Sequence, residues 1–162
     1  MLGYPLSSMR IWVDADGCPK AIQEILFRAA ERTRIQTTFV ANRDLRLPRS
    51  RFLRSMRVAR GFDVADGRIT ELVESGDLVV TADIPLAADV VARGALALDP
   101  RGELYSADNV AERLALRDAM EQLRSAGVVT GGPAALSQSD RTAFANRLDT
   151  LLTRRRKRGA AG

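Results

Sequence analysis

The chain has 162 residues, of which 46% are hydrophobic and 28% charged. These values describe one globular domain of ordinary size and exclude a fibre or a disordered chain. A single cysteine, Cys18, rules out an intrachain disulfide. The absence of histidine rules out Ser-His-Asp and Cys-His catalysis and any histidine-dependent zinc site.

The net charge of +5 is unevenly placed. The five cations Arg154, Arg155, Arg156, Lys157 and Arg158 account for all of it, so the body of the chain is neutral. Within that body, residues 43–60 hold seven arginines (43, 46, 49, 51, 54, 57 and 60) against one acid, Asp44. A basic segment beside an acidic remainder suits a polyanion held near a cation site. It equally suits a solvated face in an arginine-favouring composition. No apolar run is long enough to span a bilayer, and residues 1–10 lack the pattern of a secretory signal. The expectation is a cytoplasmic protein without a membrane partner. Residues 1–8 read as a lead-in, 9–152 as one domain and 153–162 as a basic disordered tail.

In chain order, residues 10–13 form a short apolar run ending at Asp14, a buried first strand. Pro19 then opens a helix whose apolar positions are Ile22, Ile25, Leu26, Ala29 and Ala30. Thr37 to Val40 is a second strand, followed by an Arg/Pro loop. The spacing of Phe52, Leu53 and Met56 predicts a short helical turn, with a third strand around 56–59. A helix over Ala65–Glu74 follows, closed by Gly76. Leu78-Val-Val80 is a fourth strand. Pro85 opens a helix through Ala92, and Ala95–Leu98 is a fifth strand ending at Asp99. Two C-terminal helices follow, one over Asp108–Ser125 and one opened by a capping box at Ser137 and Asp140. Gly127, Gly131-Gly132 and Pro133 connect them. Strands alternating with helices predict right-handed crossovers. The fold class is therefore α/β, a three-layer sandwich around a mainly parallel sheet of about five strands, with two C-terminal helices.

Ligands of open parallel sheets gather beyond the carboxyl ends of strands, where the strand order switches. Asp14 and Asp16 follow strand one, Asp63 and Asp66 strand three, Asp83 strand four and Asp99 strand five. Ionised carboxylates repel one another, and a divalent cation bound between them stabilises them together. Oxygen-only ligands suit Mg²⁺ or Mn²⁺, which polarise a phosphoryl oxygen and activate water. The competing role of each aspartate is a helix cap or an Asx turn. Asp14 and Asp83 stand out against that role, while Asp16, Asp63 and Asp66 suit caps and Asp99 a turn. Cys18 and Trp12 read as packing residues.

The segments IWVDADGCP, GFDVADGRI, VVTADIPLA and SQSDRTAF resemble, in this order and spacing, the YaiI/YqxD family, over about Met9 to Leu152. That family is grouped by likeness with PIN-like nuclease folds, whose strand-end acids bind Mg²⁺ or Mn²⁺ and cut RNA. The resemblance implies a PIN-like fold. It implies that Asp14 and Asp83 are the main metal ligands, with Asp16 and Asp66 completing the set and Asp14, Asp16 and Asp83 catalytic. The helical glutamate of many PIN domains has no clear counterpart; Glu71 and Glu74 are the nearest. The loop ANRDLRLPRSRF also looks like a family segment, and Arg43, Arg51 and Arg57 are the phosphate contacts expected for RNA or another polyanion. Two other readings stand beside the nuclease. One is a non-catalytic nucleic-acid or protein binding module on the same fold. The other is a haloacid-dehalogenase-type phosphatase, suggested by the DxD at 14–16 but lacking a lysine clamp.

Overall fold

The computed structural model describes residues 9–61, 64–128 and 134–161, with side chains to Arg154. The lead-in, Asp63 and the Gly131-Gly132-Pro133 connection lie outside the described residues. Among the described residues six strands form one sheet: β1 (Ile11–Asp14), β2 (Thr37–Ala41), β3 (Leu53–Arg57), β4 (Leu78–Val80), β5 (Leu96–Leu98) and β6 (Leu104–Tyr105). Their spatial order is β3-β2-β1-β4-β5-β6. All neighbours are parallel except β5 and β6.

Side-chain alternation splits the sheet into two cores. Ile11, Val13, Phe39, Leu78, Val80 and Leu98 join one cluster with Ile22, Leu26 and Ala29 of α1 (Lys20–Thr33) and Phe144 and Leu148 of α5 (Gln138–Ala161). Trp12, Val40, Val79 and Ala97 join the other with Ile69 of α2 (Val64–Leu72) and Leu86, Ala87 and Val90 of α3 (Ile84–Ala92). Both faces are covered, so the central strands read as continuous apolar runs rather than alternating ones. This is the expected three-layer sandwich. α4 (Val110–Ser125) packs on α3 and buries no residue fully.

Three local rules act as the sequence suggests. Asp140 N–H donates to Ser137 Oγ at 3.1 Å while Ser137 N–H donates to Asp140 Oδ2 at 2.9 Å, a reciprocal capping box opening α5. Asp99 accepts the Arg101 N–H and makes a turn. Trp12 is buried, as a core residue should be.

Two elements differ from the sequence reading. Residues 53–57 are a strand, not a helical turn leading into a strand at 56–59; they pair with β2 from Thr37↔Leu53 to Ala41↔Arg57. β3 is an edge strand, so arginine and serine are tolerated at its exposed positions and the apolar signature is lost. The second is β6, whose two residues are too few to show a period. Among the described residues, no helix is long and apolar enough to cross a membrane.

Candidate functional site

Strand order reverses between β1 and β4. From β1 the chain moves outward through β2 to β3, then returns to β4 on the other side of β1. The crevice beyond the carboxyl ends of β1 and β4 is therefore the switch point of the sheet. Asp14 closes β1 there, and Thr81-Ala82-Asp83 leaves β4 beside it.

Thr81 joins the two acids. Its hydroxyl donates to Asp14 Oδ2 at 2.9 Å and accepts the Asp83 N–H at 2.9 Å. Thr81 is 1% exposed, so its hydroxyl is fixed between these partners. Asp83 also caps α3, its Oδ1 accepting the Leu86 N–H at 3.0 Å, with Pro85 in the first turn. That leaves Asp14 Oδ1 and Asp83 Oδ2 without a hydrogen-bond donor among the described residues.

Burial pushes the Asp14 carboxyl above the ordinary carboxylate range, and the charges of Asp83 and Asp16 push it further, against the lowering effect of Thr81. The structure thus brings Asp14, Asp83 and Asp16 within electrostatic reach of one another. Asp66 lies in the first turn of α2 and is not among the charges that shift Asp14. As placed, no group of three or more acidic or cysteine side chains among the described residues is close enough to hold a metal ion.

Asp16 is occupied differently from a helix cap. The N-cap position of α1 is Pro19, with no side-chain cap. Asp16 sits in a 3-10 turn over Ala15–Gly17, and its Oδ2 accepts the Asn42 N–H at 2.8 Å. Its Oδ1 lies 3.6 Å from Arg43 Nε. Asp16 therefore ties the start of the arginine loop to the acid turn. Gln23 braces the same turn by donating from Nε2 to the Cys18 carbonyl at 3.0 Å. Cys18 is buried, and desolvation together with the Asp14 charge pushes its thiol up to about 12. A thiol held protonated in this way is not a nucleophile at neutral pH.

The three arginine candidates separate. Arg43 stands at the acid turn. Arg57 ends β3 on the same edge of the sheet and lies 3.4 Å from Asp44. Arg51 precedes β3 at the opposite edge, since Leu53 is in register with Thr37 and, through it, Ile11. That displaces it from Asp14 by roughly 10 Å or more along the strand direction. Its guanidinium lies over the Phe52 ring, 5.9 Å from the centroid.

Sequence reasoning missed Thr81 and Gln23. The only trace of Thr81 is its place directly after an apolar strand, and nothing local marks Gln23.

The chain resembles known proteins over nearly its whole length. The model of the family described as uncharacterised BCR, YaiI/YqxD family, matches residues 12–154. A UPF0178 protein of Bordetella avium is 64% identical over 146 residues, covering 90% of this chain and 95% of that one. A UPF0178 protein of Shewanella amazonensis is 62% identical, with 90% and 98% covered. One from Pectobacterium carotovorum is 57% identical, with 92% and 99% covered. No solved structure matches.

Proposed function

The chain belongs to the uncharacterised YaiI/YqxD family, and from that premise we propose that it is a divalent-metal-dependent nuclease acting on RNA. The observation that carries this reading is geometric: Asp14 and Asp83 leave the neighbouring strands β1 and β4 at the switch point and are linked through the Thr81 hydroxyl. Burial is the larger cause of the upward shift at Asp14, and the Asp83 and Asp16 charges add to it; a cation would relieve that second, like-charge part. Asp14 Oδ1 and Asp83 Oδ2 are the oxygens that would hold it. Two carboxylates suit Mg²⁺ or Mn²⁺, which keep several waters or take substrate phosphate oxygens. Bound there, such an ion supplies Lewis acidity toward a phosphoryl oxygen and lowers the pKa of water.

The chain's own residues do the rest. Thr81 ties the Asp14 carboxylate to the main chain of Asp83. Asp16 keeps Arg43 beside them, where its guanidinium would meet a phosphate. Asp16 is then a positioning residue rather than a ligand. That also weakens the phosphatase reading, which needs Asp16 free as an acid.

The test is cleavage of a fluorescent single-stranded RNA by the purified full chain with Mn²⁺ or Mg²⁺. Chelation should abolish it. Asp14→Asn and Asp83→Asn should each slow it by at least roughly 100-fold, the upper end of what losing even an outer-shell partner costs. Cleavage that survives Asp14→Asn removes this assignment. One observation favours the binding module instead: Asp83 and Asp16 both serve backbone amides. Salt-sensitive RNA binding without any metal requirement or cleavage is the result that reading expects.

A further inference from the structure

We infer that the outer edge of β3 is a track for single-stranded RNA, gripped through its phosphates. Among the described residues β3 is the last strand of the sheet on its side and pairs only with β2. In the parallel register, Thr37 N–H bonds to the Phe52 carbonyl and Val58 N–H to the Ala41 carbonyl. Residues 54, 56 and 58 therefore turn their amides toward β2. The amides of Leu53, Ser55 and Arg57 face outward, and none has an acceptor among the described residues. Alternate amides on a strand recur about every 6.6 Å. That spacing is comparable to the distance between successive phosphates of an extended nucleic-acid strand.

The side chains add charge along the same line. Arg51, Arg54, Arg57 and Arg60 recur at every third residue. A strand has period two, so a step of three alternates faces. Leu53 packs into the α1/α5 core and Met56 into the α2/α3 core. Arg57 consequently belongs to the first face and Arg54 to the second, and cations flank the edge from both sides. Arg54, Ser55 and Arg57 are all exposed. Among the described residues Arg46, Arg49, Arg51, Arg54 and Arg60 have no carboxylate partner. The partner of Arg57, Asp44, is an exposed acid, and an ion pair of that kind contributes little.

The chemistry selects the occupant. Like charges along the edge oppose pairing with a second β3, the usual role of charged residues on an edge strand. The carbonyls of Leu53, Ser55 and Arg57 face outward between those amides, so the arginines flanking the edge supply the net attraction, and one narrow edge of this kind matches a single phosphodiester chain rather than a duplex. The carboxyl end of the track reaches the sheet edge that carries Asn42, Arg43 and Asp14. The track thus deepens the nuclease reading by leading a strand toward the acids, but it is read out by binding alone.

The experiment is fluorescence anisotropy of a fluorescein-labelled single-stranded oligouridylate with the full chain in EDTA, across a salt series. Arg51→Glu with Arg54→Glu should weaken binding by at least about 10-fold and lower the salt slope by about 1.4, at about 0.7 per lost phosphate contact. Ser55→Pro removes one outward amide without touching the β2 ladder, and it should weaken binding several-fold while the thermal transition is retained. A control pair on α4, Arg117→Glu with Arg124→Glu, should stay within about two-fold of the parent. Equal affinity in the parent and the Arg51/Arg54 variant would overturn the inference. So would displacement by an oligoglutamate of equal length as efficient as by unlabelled RNA, which would make the edge a site for acidic peptides. Binding that behaves as expected while Asp14→Asn leaves cleavage unchanged, or no cleavage occurs, separates failure of the nuclease reading from failure of the track.

Discussion

Two aspartates at opposite ends of neighbouring strands show how one sheet uses the same side chain in two ways. Asp77 precedes β4 with its side chain 3% exposed. It accepts the Arg10 N–H at 3.0 Å, the Trp12 indole N–H at 3.0 Å and the Glu74 N–H at 2.9 Å, with the Arg10 guanidinium 3.6 Å away. Three N–H donors thus converge on one carboxylate. Asp14, ending β1, has among the described residues one hydrogen-bond donor, Thr81, and two acids for company. Asp77 is a solved packing problem, a charge whose hydrogen-bond capacity is met by the fold. Asp14 instead has fewer donors and acidic neighbours, an arrangement that clusters at functional sites but also occurs in structural networks.

Breaking Asp77 should produce the largest effect. Asp77→Ala leaves the indole and two backbone amides without their acceptor and should lower unfolding free energy by about 3–5 kcal/mol, measured by urea titration. A loss below about 1 kcal/mol would mean that water replaces the carboxylate and that the contrast is false.

Asp14→Asn should act in the opposite direction, and less strongly. The folded pKa of Asp14 lies above its ordinary 3.8, so the folded state binds the proton more tightly than the unfolded one. The stability tied to this proton is fully present below about 3.8 and is lost as pH rises through the folded value. At pH 7 the parent carries that loss and the asparagine variant does not, so the variant should melt higher, with the gain vanishing in acid. Mn²⁺ should raise the melting temperature of the parent at pH 7 and leave the variant unmoved. A variant that melts lower at pH 7 and at acid pH alike would show that Asp14 is structural.

The smallest effect concerns Cys18, which reports how closed the acid turn is. With its thiol pushed up to about 12, Cys18 should resist a maleimide in the native protein at pH 7 and react readily in denaturant. Rapid native labelling, followed by mass spectrometry, would place the turn in solvent and remove the burial that distinguishes Asp14.

Much of this architecture was legible from residues 10–98, because each central strand is covered on both faces and each helix carries an apolar stripe. The acids after β1 and β4 were legible for the same reason: a polar residue ending an apolar run marks where a buried strand reaches water. Asp77 escaped notice because its partners Arg10 and Trp12 lie 67 and 65 residues away, and no local period records them. β3 escaped because an edge strand has only half the burial that periodicity reports.

The amino-acid pattern by itself determined the class of fold, the places where strands end and the concentration of arginine between 43 and 60. Only the tertiary structure decided that β1 and β4 are neighbours, that Thr81 bridges their acids, and that Arg51 and Arg43 stand at opposite edges. The reason is physical. Burial leaves its mark residue by residue along the chain, whereas strand order and register are set by contacts between distant segments.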